Sequence, residues 1–145
     1  MIKLLSTKDC KNIQEFLELP SKDQYYVELF RDYHTLRHHT FESKIISVGE
    51  VTDGKITKLL SILTPEKSTL MMCCTIIAVH NDKEFVKEAL SMLTEILEDE
   101  EYSKFKITFY NGRFNEFEKT LEKCNFVKEV EIDDVLRMTA YSYYL

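Results

Sequence analysis

Residues Thr75 to Asp82 read TIIAVHND, an apolar run that ends in the polar corner His80-Asn81-Asp82. Beyond the corner, Phe85, Val86, Ala89, Leu90, Leu93, Ile96 and Leu97 recur at helical spacing and form one apolar stripe. Asn81 or Asp82 can accept hydrogen bonds from the first free amides of that helix, so the corner is its N-terminus. A buried strand that feeds directly into an amphipathic helix places the chain among folds that pack helices on a sheet.

Upstream, Ile45, Ile46, Val48 and Val51 lead into Thr52-Asp53-Gly54-Lys55, where Asp-Gly between apolar runs predicts a hairpin turn. Ile56 to Leu63 is the returning strand. Thr64-Pro65-Glu66-Lys67-Ser68 interrupts the pattern, and Thr69 to His80 resumes as a third antiparallel strand. At the start, Ile2 to Leu5 reads as a short strand. Ser6 and Thr7 then precede a helix with Ile13, Phe16 and Leu17 on one side, closed by Pro20. In residues 21 to 42, Tyr26, Leu29, Phe30, Tyr33 and Leu36 sit at helical spacing, which predicts a second helix ending near His39. Downstream, Phe105 to Tyr110 alternates as a strand and Phe114 to Lys123 reads as a helix with Phe117 and Leu121 inward. Val127 to Ile132 and Leu136 to Tyr144 read as a closing antiparallel pair. The sum is an α+β domain with about seven strands and about four helices.

A chain of 145 residues can bury a core without disulfide or metal support, so a single domain over residues 1–145 is expected. With 44% hydrophobic and 30% charged residues, and only 3 Gly and 2 Pro, composition is that of a soluble globular protein without a linker. No apolar run reaches the length of a membrane span, and a cytoplasmic protein with no membrane partner is expected. The net charge of -6 disfavours a nucleic-acid partner. The 4 cysteines have no zinc-finger spacing, and Cys73 and Cys74 on one strand point to opposite faces, so buried free thiols are expected.

Element order and several strings resemble the GNAT superfamily of acyl-CoA N-acyltransferases. Val51-Thr52-Asp53-Gly54-Lys55-Ile56 is similar to that family's hairpin between its second and third strands. Ile77-Ala78-Val79-His80-Asn81-Asp82 is similar to the Ala-Val-His-Pro-Asp type string that closes its fourth strand, and Glu122-Lys123-Cys124-Asn125-Phe126 to its Glu-Lys-Leu-Gly-Phe string. The resemblance implies acetyl transfer from acetyl-CoA to an amine. Main-chain groups of Ile77, Ala78 and Val79 would pair with the pantetheine arm, with Lys83 and the helix N-terminus near the pyrophosphate and Asn111 beside the arm.

Two features depart from the family pattern. Its pyrophosphate loop carries glycines that let backbone amides close on the phosphates, whereas here Asp82-Lys83-Glu84-Phe85-Val86 stands there, with no glycine anywhere from Lys55 to Asn111. Leu121 stands where the family often has a tyrosine acid, and no carboxylate lies at Cys73 to Thr75 where a base is common, so no catalytic residue is assigned.

The acceptor is expected to be a small-molecule or peptide amine. In the resemblance the second helix lines its pocket, which makes Tyr25, Tyr26, His34 and His38 the candidates, against packed tyrosines and solvated histidines. His34 and His38 are one helical turn apart, but a metal needs a further ligand and Glu42 is the nearby carboxylate, so no metal site is assigned. Tyr141, Tyr143 and Tyr144 suit either sheet packing or a dimer edge, and a homodimer through the C-terminal strands is the assembly to look for. Two other readings stay open. One is a GNAT-like binding or regulatory domain that no longer holds CoA; the other is an unrelated mixed domain, which would lack parted strands beside His80.

Overall fold

The computed structural model describes residues 1–27, 45–64, 73–110, 115–132 and 138–145. Within them lie eight strands: β1 (Ile2–Leu4), β2 (Gln24–Tyr26), β3 (Ile45–Thr52), β4 (Lys55–Leu63), β5 (Cys73–His80), β6 (Lys104–Tyr110), β7 (Val127–Ile132) and β8 (Met138–Tyr144). Three α-helices accompany them: α1 (Cys10–Glu18), α2 (Lys83–Ile96) and α3 (Asn115–Lys123). One mixed sheet runs in the order β1-β3-β4-β5-β6-β8-β7, and β2 pairs additionally with β5.

Local chemistry explains most boundaries. Ser6 closes a capping box with Asp9 over a short 3-10 turn, Thr7–Asp9, that leads into α1. Asp53 and Gly54 both take positive φ, 52° and 77°, as a two-residue type I′ hairpin requires. Asp82 caps α2 by accepting the Phe85 N–H. Asn125, at φ 69°, ends the turn after α3 in the left-handed conformation that asparagine tolerates.

The sheet is covered on both faces. Helices α2 and α3 bury Phe85, Leu90, Leu93, Phe117 and Leu121 against Val48, Leu60, Ile76, Val79, Phe105 and Tyr141, while α1 lays Ile13 and Leu17 on Leu59, Ile77 and Ala78. Strand β5 changes phase in the middle. Ile76 and Val79 face α2, yet the consecutive residues Ile77 and Ala78 both join the α1 side. The pairing with β4 shows the cause: Ile62 faces Ile76 and Ser61 faces Ala78, leaving Ile77 as the extra residue of a β-bulge.

Two expectations need correction. Among the described residues there are eight strands and three α-helices, rather than about seven and about four. The extra strand is Gln24–Tyr26, taken from the stretch read as helical. The remainder of that expected helix, which was to end near His39, falls within residues 28–44, outside the described residues, as do His34 and His38. Of the two places left open for the terminal tyrosines, β8 lies inside the sheet between β6 and β7, with Tyr141 fully buried, and β7 is the outer strand with every residue exposed. Tyr141 is therefore sheet packing and Tyr143 is partly buried, while Tyr144 is exposed.

Candidate functional site

The sheet opens beside the corner that begins at His80. Parallel pairing between β5 and β6 is confined to Cys73–Lys104, Cys74–Phe105 and Thr75–Lys106, after which the two strands part. Beyond the parting, the edge of β5 is taken by β2, antiparallel, with Gln24 opposite His80, Tyr25 opposite Val79 and Tyr26 opposite Ala78. A strand residue has one in-plane neighbour on each edge. Ala78 meets Ser61 of β4 on one, so Tyr26 stands on the other, the edge along which β6 pairs with residues 73–75.

Side chains hold β2 in this gap. The Tyr25 hydroxyl donates to the Thr108 carbonyl of β6 at 3.5 Å, and its ring meets Phe109 and Phe117 edge-on at 5.1 and 6.4 Å. Tyr26 donates to the Leu17 carbonyl at the end of α1. Val27 N–H donates to the Ile77 carbonyl at 3.0 Å, and Asn81 N–H to the Asp23 carbonyl at 2.6 Å. Tyr25 and Tyr26 thus come to lie directly against Ile77, Ala78 and Val79.

Gln24 is buried and fastens the corner. Its Nε2 donates to the Leu59 and Tyr25 carbonyls, each at 3.0 Å, and its Oε1 accepts the Leu59 N–H at 3.2 Å. The same oxygen lies 2.8 Å from His80 Nδ1. Because that oxygen is an acceptor, Nδ1 of His80 carries the proton. Burial, ahead of the Asp23, Lys58, Asp82 and Glu50 charges around it, holds the His80 pKa below the usual histidine range.

A short ion network surrounds the N-terminus of α2. Lys58 Nζ lies 2.7 Å from Asp82 and 3.4 Å from Glu50. The hydrogen bond from Lys58, and then that from Phe85 N–H, hold the Asp82 carboxyl below its ordinary range, while the Asp82 bond raises Lys58. Lys83 is 44% exposed and within 3.8 Å of the more exposed Glu84, so its ammonium is available to a ligand at the helix end. Asn81 also accepts a hydrogen bond from Thr120 of α3, joining the corner to that helix.

These ionisations set a pH dependence. His80 folds neutral, so its contribution is intact above about pH 6.5 and is lost as pH falls through that value toward its lower folded pKa. The depressed Asp82 acts in the same direction at lower pH, losing its contribution as pH falls through its folded pKa. Melting temperature is therefore expected to fall between pH 7.5 and 5.5, and to fall less in His80→Asn, whose amide can still donate to Gln24. Equal slopes in the two proteins would contradict the assignment.

Of the expected site residues, Ile77, Ala78, Val79, Lys83, Tyr25 and Tyr26 meet around one parting in the sheet. Asn111, His34 and His38 lie outside the described residues. Leu121 is fully buried in the core and brings no hydroxyl. Burial, then the neighbouring Cys73, pushes the Cys74 thiol up to about 12, so it is neutral at physiological pH and no nucleophile. Gln24 and His80 are not among the expected site residues, because the bond between them joins positions far apart in the chain.

No protein-family model and no curated protein matches the chain significantly. Solved structures do. A probable acetyltransferase from Staphylococcus epidermidis superposes with TM-score 0.76 at 10% identity, covering 99% of this chain and 98% of that one. A GNAT-family acetyltransferase from Streptococcus pneumoniae gives 0.74 at 14% identity, with 100% and 99% covered. A ribosomal-protein-alanine N-acetyltransferase from Brucella melitensis gives 0.73 at 10% identity, again with 100% and 99% covered. At these identities the likeness is one of fold, and it spans the whole chain.

Proposed function

We propose that this chain, a divergent bearer of the GNAT fold, is an N-acetyltransferase that moves the acetyl group of acetyl-CoA to an amine by direct attack. The observation that carries the reading is the parting of β5 from β6 beside the N-terminus of α2. A thioester arm laid along that edge would pair with the main chain of Ile77 to Val79 as an added strand. Its pyrophosphate would reach the first turn of α2 and Lys83, where free amides and the helix dipole favour anions.

The residues present fit the arm better than the phosphates. Asp82 already caps the helix with its carboxylate, and Glu84 stands beside Lys83, so a pyrophosphate would meet two negative charges where the family has glycine amides. Binding weaker than the family pattern would give is expected. When bound, acetyl-CoA supplies an activated acyl group; the chain's own residues orient it. Among the described residues, Leu121 brings no hydroxyl and Cys74 is neutral, so neither serves the proton transfer.

A second reading is a GNAT-fold binding or regulatory domain, and one observation favours it: β2 already occupies the edge of β5. The two readings separate by chemistry. Incubation with acetyl-CoA and a panel of primary amines and peptide N-termini is expected to release free CoA thiol only when an amine is present. No amine-dependent release across the panel, in a protein shown to be folded, would favour the binding domain.

A further inference from the structure

The edge of β5 that a thioester arm would use is not open. We infer that the segment Asp23 to Val27 is an intramolecular occupant of this groove, and that acetyl-CoA binds only by displacing Tyr25 to Val27 from it, so that the described structure is a self-inhibited resting state. The inference rests on the acetyltransferase reading for the ligand's identity, but not for the contact itself.

The occupant mimics what an added strand would do. Val27 N–H and the Ile77 carbonyl form one pair, and Asn81 N–H and the Asp23 carbonyl another, so main-chain groups of β5 beyond the parting are already satisfied. The Tyr25 ring spans the gap to β6 and fills it against Phe109 and Phe117. A thioester arm and β2 therefore compete for the same hydrogen-bonding edge and the same volume. Apparent affinity is then the intrinsic affinity reduced by the fraction of molecules in which β2 is undocked.

The contact is also built to be reversible. Strand β2 has three residues, Gln24–Tyr26, and a strand this short holds by its partners rather than by its own length. Tyr25 and Tyr26 are each only half-buried, and the Tyr25 hydroxyl bond to Thr108 is long at 3.5 Å. By contrast Gln24 is buried and tied to β4, so it serves as the pivot when Tyr25 to Val27 leave the edge.

Two variants act oppositely on the docking. Val27→Pro removes the N–H that reaches the Ile77 carbonyl and weakens the pairing. Residues 27 and 77 form a hydrogen-bonded pair, which makes Tyr26 and Ala78 a non-hydrogen-bonded pair, whose close Cα atoms suit a disulfide. Tyr26→Cys with Ala78→Cys therefore locks β2 in place under oxidation, verified by intact mass.

The experiment is hydrogen exchange on the full chain, followed by calorimetric titration of each form with acetyl-CoA. In the resting protein the amides of Val27 and Asn81 are expected to be protected, and acetyl-CoA is expected to release Val27. Val27→Pro is expected to bind about tenfold tighter or more than the parent, and the oxidised double variant not at all until reduced. Unprotected amides, equal affinity in Val27→Pro, or unimpaired binding by the locked form would each overturn the inference. Protected amides with no binding by any form would overturn displacement by acetyl-CoA and also the acetyltransferase reading, whereas equal binding by all forms would overturn displacement alone.

Discussion

Phe85→Ala is expected to destabilise the protein by about 3–5 kcal/mol, the range for emptying a buried phenylalanine site. The ring is 2% exposed and joins the cluster that holds α2 on the sheet, with His80 edge-on to it at 6.4 Å. Its backbone N–H is also the one that Asp82 caps, so the residue fixes the N-terminal turn of α2 twice, through the side chain and through the main chain. The substitution leaves the cap in place and removes only the packing. Chemical denaturation with an unchanged m-value checks it; a loss below about 1 kcal/mol would mean that the turn is held by its cap alone.

The second large effect belongs to Gln24→Leu. Leucine keeps the volume but removes the amide that satisfies both the N–H and the carbonyl of Leu59 in a buried setting. Leaving such groups without a partner costs about 1–3 kcal/mol each, so a loss of about 2–6 kcal/mol is expected for the two. The His80 imidazole loses its acceptor in the same change. Because Gln24 anchors β2, hydrogen exchange at Val27 should quicken along with the stability loss. A stability loss with Val27 exchange unchanged would show that β2 docks without its pivot.

Much of the frame could be read from residues alone. Asp53-Gly54 marks its hairpin because two consecutive positive φ values demand such residues. Asp82 followed by the stripe from Phe85 to Leu97 marks α2, since capping and amphipathicity agree there. What could not be read were features decided by partners distant in sequence. The stretch from Tyr26 to Leu36 has helical spacing, yet Gln24–Tyr26 becomes a strand because β5 offers a free edge and Phe109 and Phe117 offer Tyr25 a place. The bulge at Ile77 leaves no mark either, because β5 is apolar on both faces and a phase change alters nothing visible in such a run. Tyr141, Tyr143 and Tyr144 suited an edge as well as an interior strand; the order β6-β8-β7 decided it.

The candidate site was legible in its main chain and illegible in its chemistry. Ile77 to Val79 could be placed because a strand followed by a capped helix fixes where an edge and a helix end meet. Gln24 could not, since its role depends on a partner 35 positions away in the chain. The missing glycines and the leucine at position 121 were visible from the outset, and the structure adds their consequence: Asp82 supplies the cap that a phosphate would otherwise provide.

Calorimetric titration of the purified protein with acetyl-CoA, with Lys83→Glu as the control, tests directly whether the groove holds this ligand. Saturable heat that weakens when Lys83 becomes acidic is expected, because that ammonium stands at the helix end where the pyrophosphate would rest. Absence of binding at millimolar acetyl-CoA, in the parent and in Val27→Pro alike, would contradict that expectation and leave a GNAT fold that serves as a binding domain.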